Sequence, residues 1–99
     1  MADKTTLVVT AMPNPSEQES MQAYLKGAQP LLAEAGGQLV KRLKVQSTIS
    51  GEACGMVLVM DFPDREKIEA MFASADYAAL RPARDKGFSS INISFAAEL

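Results

Sequence analysis

Gly55-Met56-Val57-Leu58-Val59-Met60-Asp61-Phe62 is the stretch that decides the fold. It is rich in β-branched and other apolar residues on both of its faces, which marks a strand covered from both sides. Pro63 stops it, and Asp64 is suited to cap a following helix. Upstream, Ser50-Gly51-Glu52 reads as a turn, and the run from Gln38 to Ile49 reads as a partner strand. In that partner, strict alternation puts Leu39, Leu43, Val45 and Ile49 on one face and Arg42, Lys44, Gln46 and Thr48 on the other. Further back, Met21, Tyr24, Leu25, Ala28, Leu31, Leu32 and Ala35 repeat with helical spacing. Asn14 can cap that helix, Pro15 suits its first position and Glu17 completes a capping box. Pro30 falls inside the stripe and is expected to kink or split it. Gly36-Gly37 ends it. Thr5 to Met12, ahead of Pro13, is the first strand.

Downstream of Pro63, the residues Ile68, Met71, Phe72 and Ala75 form a second buried stripe. Ser74-Ala75-Asp76-Tyr77 predicts a break with a fresh cap at Asp76, then a shorter helix to about Lys86 closed by Gly87. Phe88 to Phe95 is the last strand, with Ile91, Ile93 and Phe95 facing one way and Ser90, Asn92 and Ser94 the other. The order is β-α-β-β-α-β, an α+β chain of ferredoxin-like plan in which a four-stranded antiparallel sheet carries helices on one face. The expected domain spans residues 1–99. The uncovered face is expected to carry a mixture of Val8, Thr10, Met12, Met56, Leu58, Met60 and their neighbours. Such a patch is seldom left in water, so the reading predicts a homodimer joined through the sheet faces.

Composition narrows the function more by exclusion than by assignment. Ten basic and twelve acidic residues give a net charge of −2, no footprint for nucleic acid or an anionic membrane. The longest apolar run falls far short of the ~20 residues that span a bilayer. Met1-Ala2-Asp3-Lys4 leads directly into a strand without a basic and then apolar segment, so a signal peptide is not expected. The single cysteine, Cys54, suits a reducing compartment, and a cytoplasmic location is the expectation. The chain contains no histidine. That removes histidine-based triads, the usual zinc sites and histidine-ligated haem, so neither metal nor cofactor is expected. No phosphate-binding glycine motif is present. Cys54 has no neighbour in sequence that would lower its pKa.

From Gly36 onward the chain resembles a known family. The Gly36-Gly37 pair, the hairpin, Asp61-Phe62-Pro63-Asp64-Arg65-Glu66 and Ser74-Ala75-Asp76-Tyr77-Ala78-Ala79-Leu80-Arg81-Pro82-Ala83-Arg84-Asp85 are similar to the bacterial domain-of-unknown-function family numbered 1330. Tyr24 and Pro30 fit the same pattern. The resemblance implies the ferredoxin-like fold of the dimeric α/β-barrel superfamily, and it points to Tyr24 and Arg81 as residues of a site. Relatives in that superfamily include cofactor-free oxygenases and lactone isomerases.

Strand parity adds Arg42, Asp61 and Asn92 to the candidates, since each interrupts or flanks an apolar pattern on a strand that should be covered. Turned inward together, they would make a polar spot in an apolar cup. The candidate ligand-binding set is therefore Tyr24, Arg42, Asp61, Arg81 and Asn92. Lys41, Arg42 and Lys44 also read as the charged blunting of an edge strand, and Tyr77 as a packing anchor. The expected function is the binding of a small organic molecule, in which an arginine would grip a carboxylate. A cofactor-independent oxygenase or isomerase and a non-catalytic structural or regulatory dimer are the alternatives.

Overall fold

The computed structural model describes residues 4–99. The reading of Met1-Ala2-Asp3 as a lead-in lies outside them. Strand β1 (Thr5–Pro13) is followed by a single 3-10 turn and helix α1 (Gln18–Glu34), then by the hairpin of β2 (Gln38–Lys44) and β3 (Met56–Phe62). Three short helices, α2 (Arg65–Phe72), α3 (Ala75–Ala78) and α4 (Arg81–Gly87), lead into β4 (Phe88–Ala96). The sheet order is β2-β3-β1-β4, with every neighbour antiparallel. This is the ferredoxin-like sheet that the order of elements predicts.

Leu7 stands between Met60 and Phe95, Val9 between Leu58 and Ile93, and Ala11 between Met56 and Ile91. Partners across a ladder share a face, so these rows form the side that the helices cover. Tyr24 and Ala28 of α1 and Ile68 and Met71 of α2 are buried against them. Phe62, Leu7 and Ile68 are sealed from solvent, each worth about 1.5–3 kcal/mol of burial.

Met56, Leu58 and Met60 therefore face the helices, not the uncovered side where they were expected. The uncovered side carries Val8, Thr10 and Met12 of β1 with Val57 and Val59 of β3 and Asn92 and Ser94 of β4.

Strand β2 also departs from the expected strict alternation. Its register slips between Leu39 and Lys41, where Val40 is the extra residue of a bulge. A slip of one residue exchanges faces. Leu39 is opposite Met60, and beyond the bulge it is Arg42 that is opposite Leu58 and Lys44 that is opposite Met56. Leu39, Arg42 and Lys44 thus share the helix-facing side, while Leu43 turns with Val57 to the other. The strand ends at Lys44 rather than Ile49. One more bond, Val45 N–H to Gly55 C=O at 2.9 Å, closes the ladder, and Gly55 then donates to Ala11 instead. Ile49 is fully exposed on the loop beyond.

Helix α1 runs unbroken through Pro30, so the expected split does not occur. Pro30 is exposed on the solvent side, where the lost bond can be replaced by water. The helix ends in a Schellman turn. Gly36 adopts φ 87°, its N–H reaches Ala33 C=O, and Gly37 N–H reaches Leu32 C=O, both at 3.0 Å. At the other end Asn14 accepts from Ser16 N–H at 3.0 Å, but Glu17 forms no capping box. Its carboxylate lies 3.5 Å from the Ser20 hydroxyl and 3.8 Å from Lys86 Nζ.

Asp64 caps α2 through Glu66 N–H, as its position predicts. The next cap is Ser74, not Asp76. The Ser74 hydroxyl accepts from Tyr77 N–H at 3.2 Å and donates to Met71 C=O at 2.6 Å. Serine three residues ahead of the amide has the reach for this, whereas Asp76 already lies inside the turn. Ala75, expected in the buried stripe, is exposed.

Candidate functional site

Between the helix-facing side of the sheet and helices α1 and α2 lies a cavity of about 480 Å³. Its inner end is formed by buried side chains, among them Leu7, Tyr24, Met71 and Phe88. Its rim lies on the edge strand, where Leu39 and Arg42 are exposed. The walls are hydrocarbon except at Tyr24, Tyr77, Gln29 and Arg42, and no carboxylate lines them. Arg42 is the one formal charge in that lining. The Val40 bulge delivers it there. Without the slip, Arg42 would point to the opposite side of the sheet.

The inner end is built by aromatic packing and by the close approach of α4 to α1. Gly87 lies so near α1 that a Cβ there would stand 2.5 Å from Met21 N, so only glycine permits the crossing. Ser74 sets the start of α3 and so turns Tyr77 inward, where it is buried. Tyr24 packs edge-on against Tyr77 and Phe88, with centroids 6.1 Å and 5.9 Å away. Phe72 packs edge-on against Tyr77 at 4.9 Å. Such geometry favours aromatic pairs beyond simple burial.

A chain of hydrogen bonds runs through this cluster. The Tyr24 and Tyr77 hydroxyls are 2.8 Å apart. Arg84 donates from Nη1 to the Tyr77 hydroxyl at 3.2 Å and from Nε to Asp85 at 3.0 Å. Burial first, and then the bond with Tyr77, push the Tyr24 pKa well above the ordinary phenol range, so its proton stays on. Burial acts against the Arg84 cation, but its bonds to Tyr77 and Asp85 outweigh that and raise its pKa.

Of the five residues singled out from sequence, Tyr24 and Arg42 line the cavity. Arg81 does not reach it. It is exposed beside a second, shallower depression that it shares with Arg84, Tyr77 and Phe95. Asp61 and Asn92 lie on the sheet side away from the helices. There the Thr6 hydroxyl donates to Asp61 Oδ1 at 2.7 Å. The five do not converge, so the shared polar cup expected from parity is not formed. Tyr77 and Arg84 are the members that the sequence reading left out of the site. Among the described residues, no cluster of three histidine, cysteine or acidic side chains is placed to hold a metal ion. No helix among them is long and apolar enough to cross a membrane.

The chain belongs to the family described as "Domain of unknown function (DUF1330)", whose pattern matches residues 5–97. No curated protein matches it. Among solved structures it is similar to a protein of unknown function from Rhodopseudomonas palustris, with a TM-score of 0.83 and 14% identity over 100% of this chain and 85% of that one. It is also similar to a chain from Nitrosomonas europaea described as "Putative antibiotic biosynthesis monooxygenase", with a TM-score of 0.67 and 14% identity over 100% and 93% of the two chains. A third, from Bacteroides fragilis, is described as a dimeric protein of unknown function with a ferredoxin-like fold. It gives a TM-score of 0.60 and 12% identity over 96% of both chains. These likenesses establish the fold.

Proposed function

We propose that this protein is a homodimer, paired through the open face of its sheet, that binds a small and mainly apolar organic anion in the cavity under β2. The cavity is the observation that carries the reading. At about 480 Å³ it falls in the range of small-molecule sites, and its few polar groups are set at opposite ends of hydrocarbon walls. Arg42 at the rim would hold the anionic group through paired hydrogen bonds while leaving it partly in water. The dimer is supported by the apolar centre of the open face, Val8, Val57 and Val59, and by the dimeric description of the Bacteroides relative.

The name given to the Nitrosomonas relative favours a catalytic reading of the same cavity. The lining favours binding without turnover, because it contains no carboxylate to act as base and Asp61 lies on the far side of the sheet.

Thermal denaturation against a panel of aromatic acids, ketones, lactones and quinones tests the binding. A true ligand at 100 times its dissociation constant adds about 2.7 kcal/mol, and each kcal/mol raises the midpoint of a domain this size by roughly 4–8 °C. Arg42→Ala should abolish the shift from acids and leave that from ketones. A panel without any shift would overturn the reading.

A further inference from the structure

The Tyr24–Tyr77–Arg84 chain contains an unspent proton. Two phenols bring two hydroxyl protons. Their mutual contact uses one, and the bond from Arg84 uses a guanidinium proton instead. The remaining phenolic proton has no acceptor in the hydrogen bonds of this cluster. Arg84 donates to Tyr77, which polarises the Tyr77 O–H and makes Tyr77 the better donor of the pair. Either hydroxyl can donate across the 2.8 Å contact, and the Arg84 bond favours the arrangement in which Tyr77 donates to Tyr24 and Tyr24 keeps the free proton. Both phenols line the inner end of the cavity, and Tyr24 is only 6% exposed. A hydroxyl proton at that depth needs an acceptor.

We infer that Tyr24 is a ligand-binding donor, positioned and polarised by Tyr77 and Arg84, and that the molecule taken into the cavity presents a neutral carbonyl oxygen to it. This deepens the binding reading above and rests on it. A carboxylate is the wrong partner at this end, because full burial of an anion against a single neutral donor is costly. The ligand is therefore two-ended, with a ketone, quinone or lactone oxygen inside and an acidic group at Arg42. The upward displacement of the Tyr24 pKa agrees with a hydroxyl that donates and does not ionise. Arg84 touches neither cavity nor ligand in this arrangement. It is a positioning residue.

The test uses two probes of matched shape, 2-acetylnaphthalene and 2-isopropenylnaphthalene, which differ in the carbonyl oxygen. The full-length protein should bind the ketone about tenfold more tightly, the worth of one buried hydrogen bond. The infrared carbonyl stretch of the bound ketone should lie below its frequency in hexane. Tyr24→Phe should remove both the preference and the frequency shift. Arg84→Met should shrink both, and Arg84→Lys should restore part of each, which a purely structural role would not do. Should Tyr24→Phe fail to fold, the wild-type carbonyl frequency decides alone. Equal affinity for the two probes, or an unshifted carbonyl band, overturns the inference and leaves the cavity reading standing. If neither probe binds while an aromatic acid of the panel still does, the inference falls and the cavity reading stands; if no acid binds either, both fall together.

Discussion

Thr6 and Asp61 face each other across the β1–β3 ladder on the open side of the sheet, with the hydroxyl donating to the carboxylate at 2.7 Å. In a face-to-face dimer this carboxylate enters the interface already bonded. Thr6→Val would leave it bare. The bond to a charged group is worth about 1.5–3 kcal/mol, so the dimer dissociation constant should rise at least tenfold while the monomer stays folded. Sedimentation equilibrium of the variant measures this directly.

The two sides of the sheet should answer a buried charge differently. Val8→Asp or Val59→Asp places it on the open face and should yield a folded monomer. Met60→Asp places it under the helices, where several kcal/mol of uncompensated charge should unfold the chain. Circular dichroism with sedimentation separates the outcomes. A folded dimer from Val59→Asp would exclude pairing through this face.

Tyr24 predicts a loss of stability in alkali. Its folded pKa lies above the ordinary 10.0, so above about pH 10 the folded chain keeps a proton that the unfolded chain has released. Stability is fully present below that pH and falls as pH rises, approaching about 1.4 kcal/mol per pH unit for this one proton. Tyr24→Phe should lack this component. Urea unfolding of both proteins at several values between about pH 9 and about pH 11 makes the comparison.

Gly87→Ala should be costly although it adds a single methyl group. The new Cβ would meet Met21 N at 2.5 Å and Met21 Cα at 2.6 Å, and backbone cannot swing aside as a side chain can. We expect about 1–3 kcal/mol of destabilisation, seen as a lower urea midpoint, together with a weakened Arg84 contact to Tyr77 as α4 is pushed off α1.

The fold was legible in the sequence where pattern and punctuation agreed. The stripe from Met21 to Ala35 with its Gly36-Gly37 stop, and the alternation of Ile91, Ile93 and Phe95, each left one arrangement. The site was harder to read because it depends on a single inserted residue. Two apolar residues, Leu39-Val40, followed by two charged ones, Lys41-Arg42, break strict alternation, and that was the signal for a bulge. Read as a regular strand, the same letters send Arg42 to the wrong face. The parity of β3 cannot be read from its letters at all, since both faces are apolar. Arg84 was visible as a neighbour of Arg81. Choosing between them required knowing how α4 lies against α1, which Gly87 decides through space and not through sequence pattern.

The strand order has a consequence for how the chain is made. The first strand occupies an inner position of the sheet and pairs with the last, Thr6 opposite Ala96 and Val9 opposite Ile93. During synthesis β1 emerges before the other strands of the sheet, yet one whole edge of it stays unpaired until Phe88–Ala96 has emerged. Helix α1 and the β2–β3 hairpin can form from local contacts while they wait. The sheet and the floor of the cavity cannot close until the end, because that contact spans almost the full chain and loop closure of such length is slow. A nascent chain stalled before Phe88 therefore exposes Val9 and Ala11 beside an open strand edge, the kind of surface that promotes association between incomplete chains.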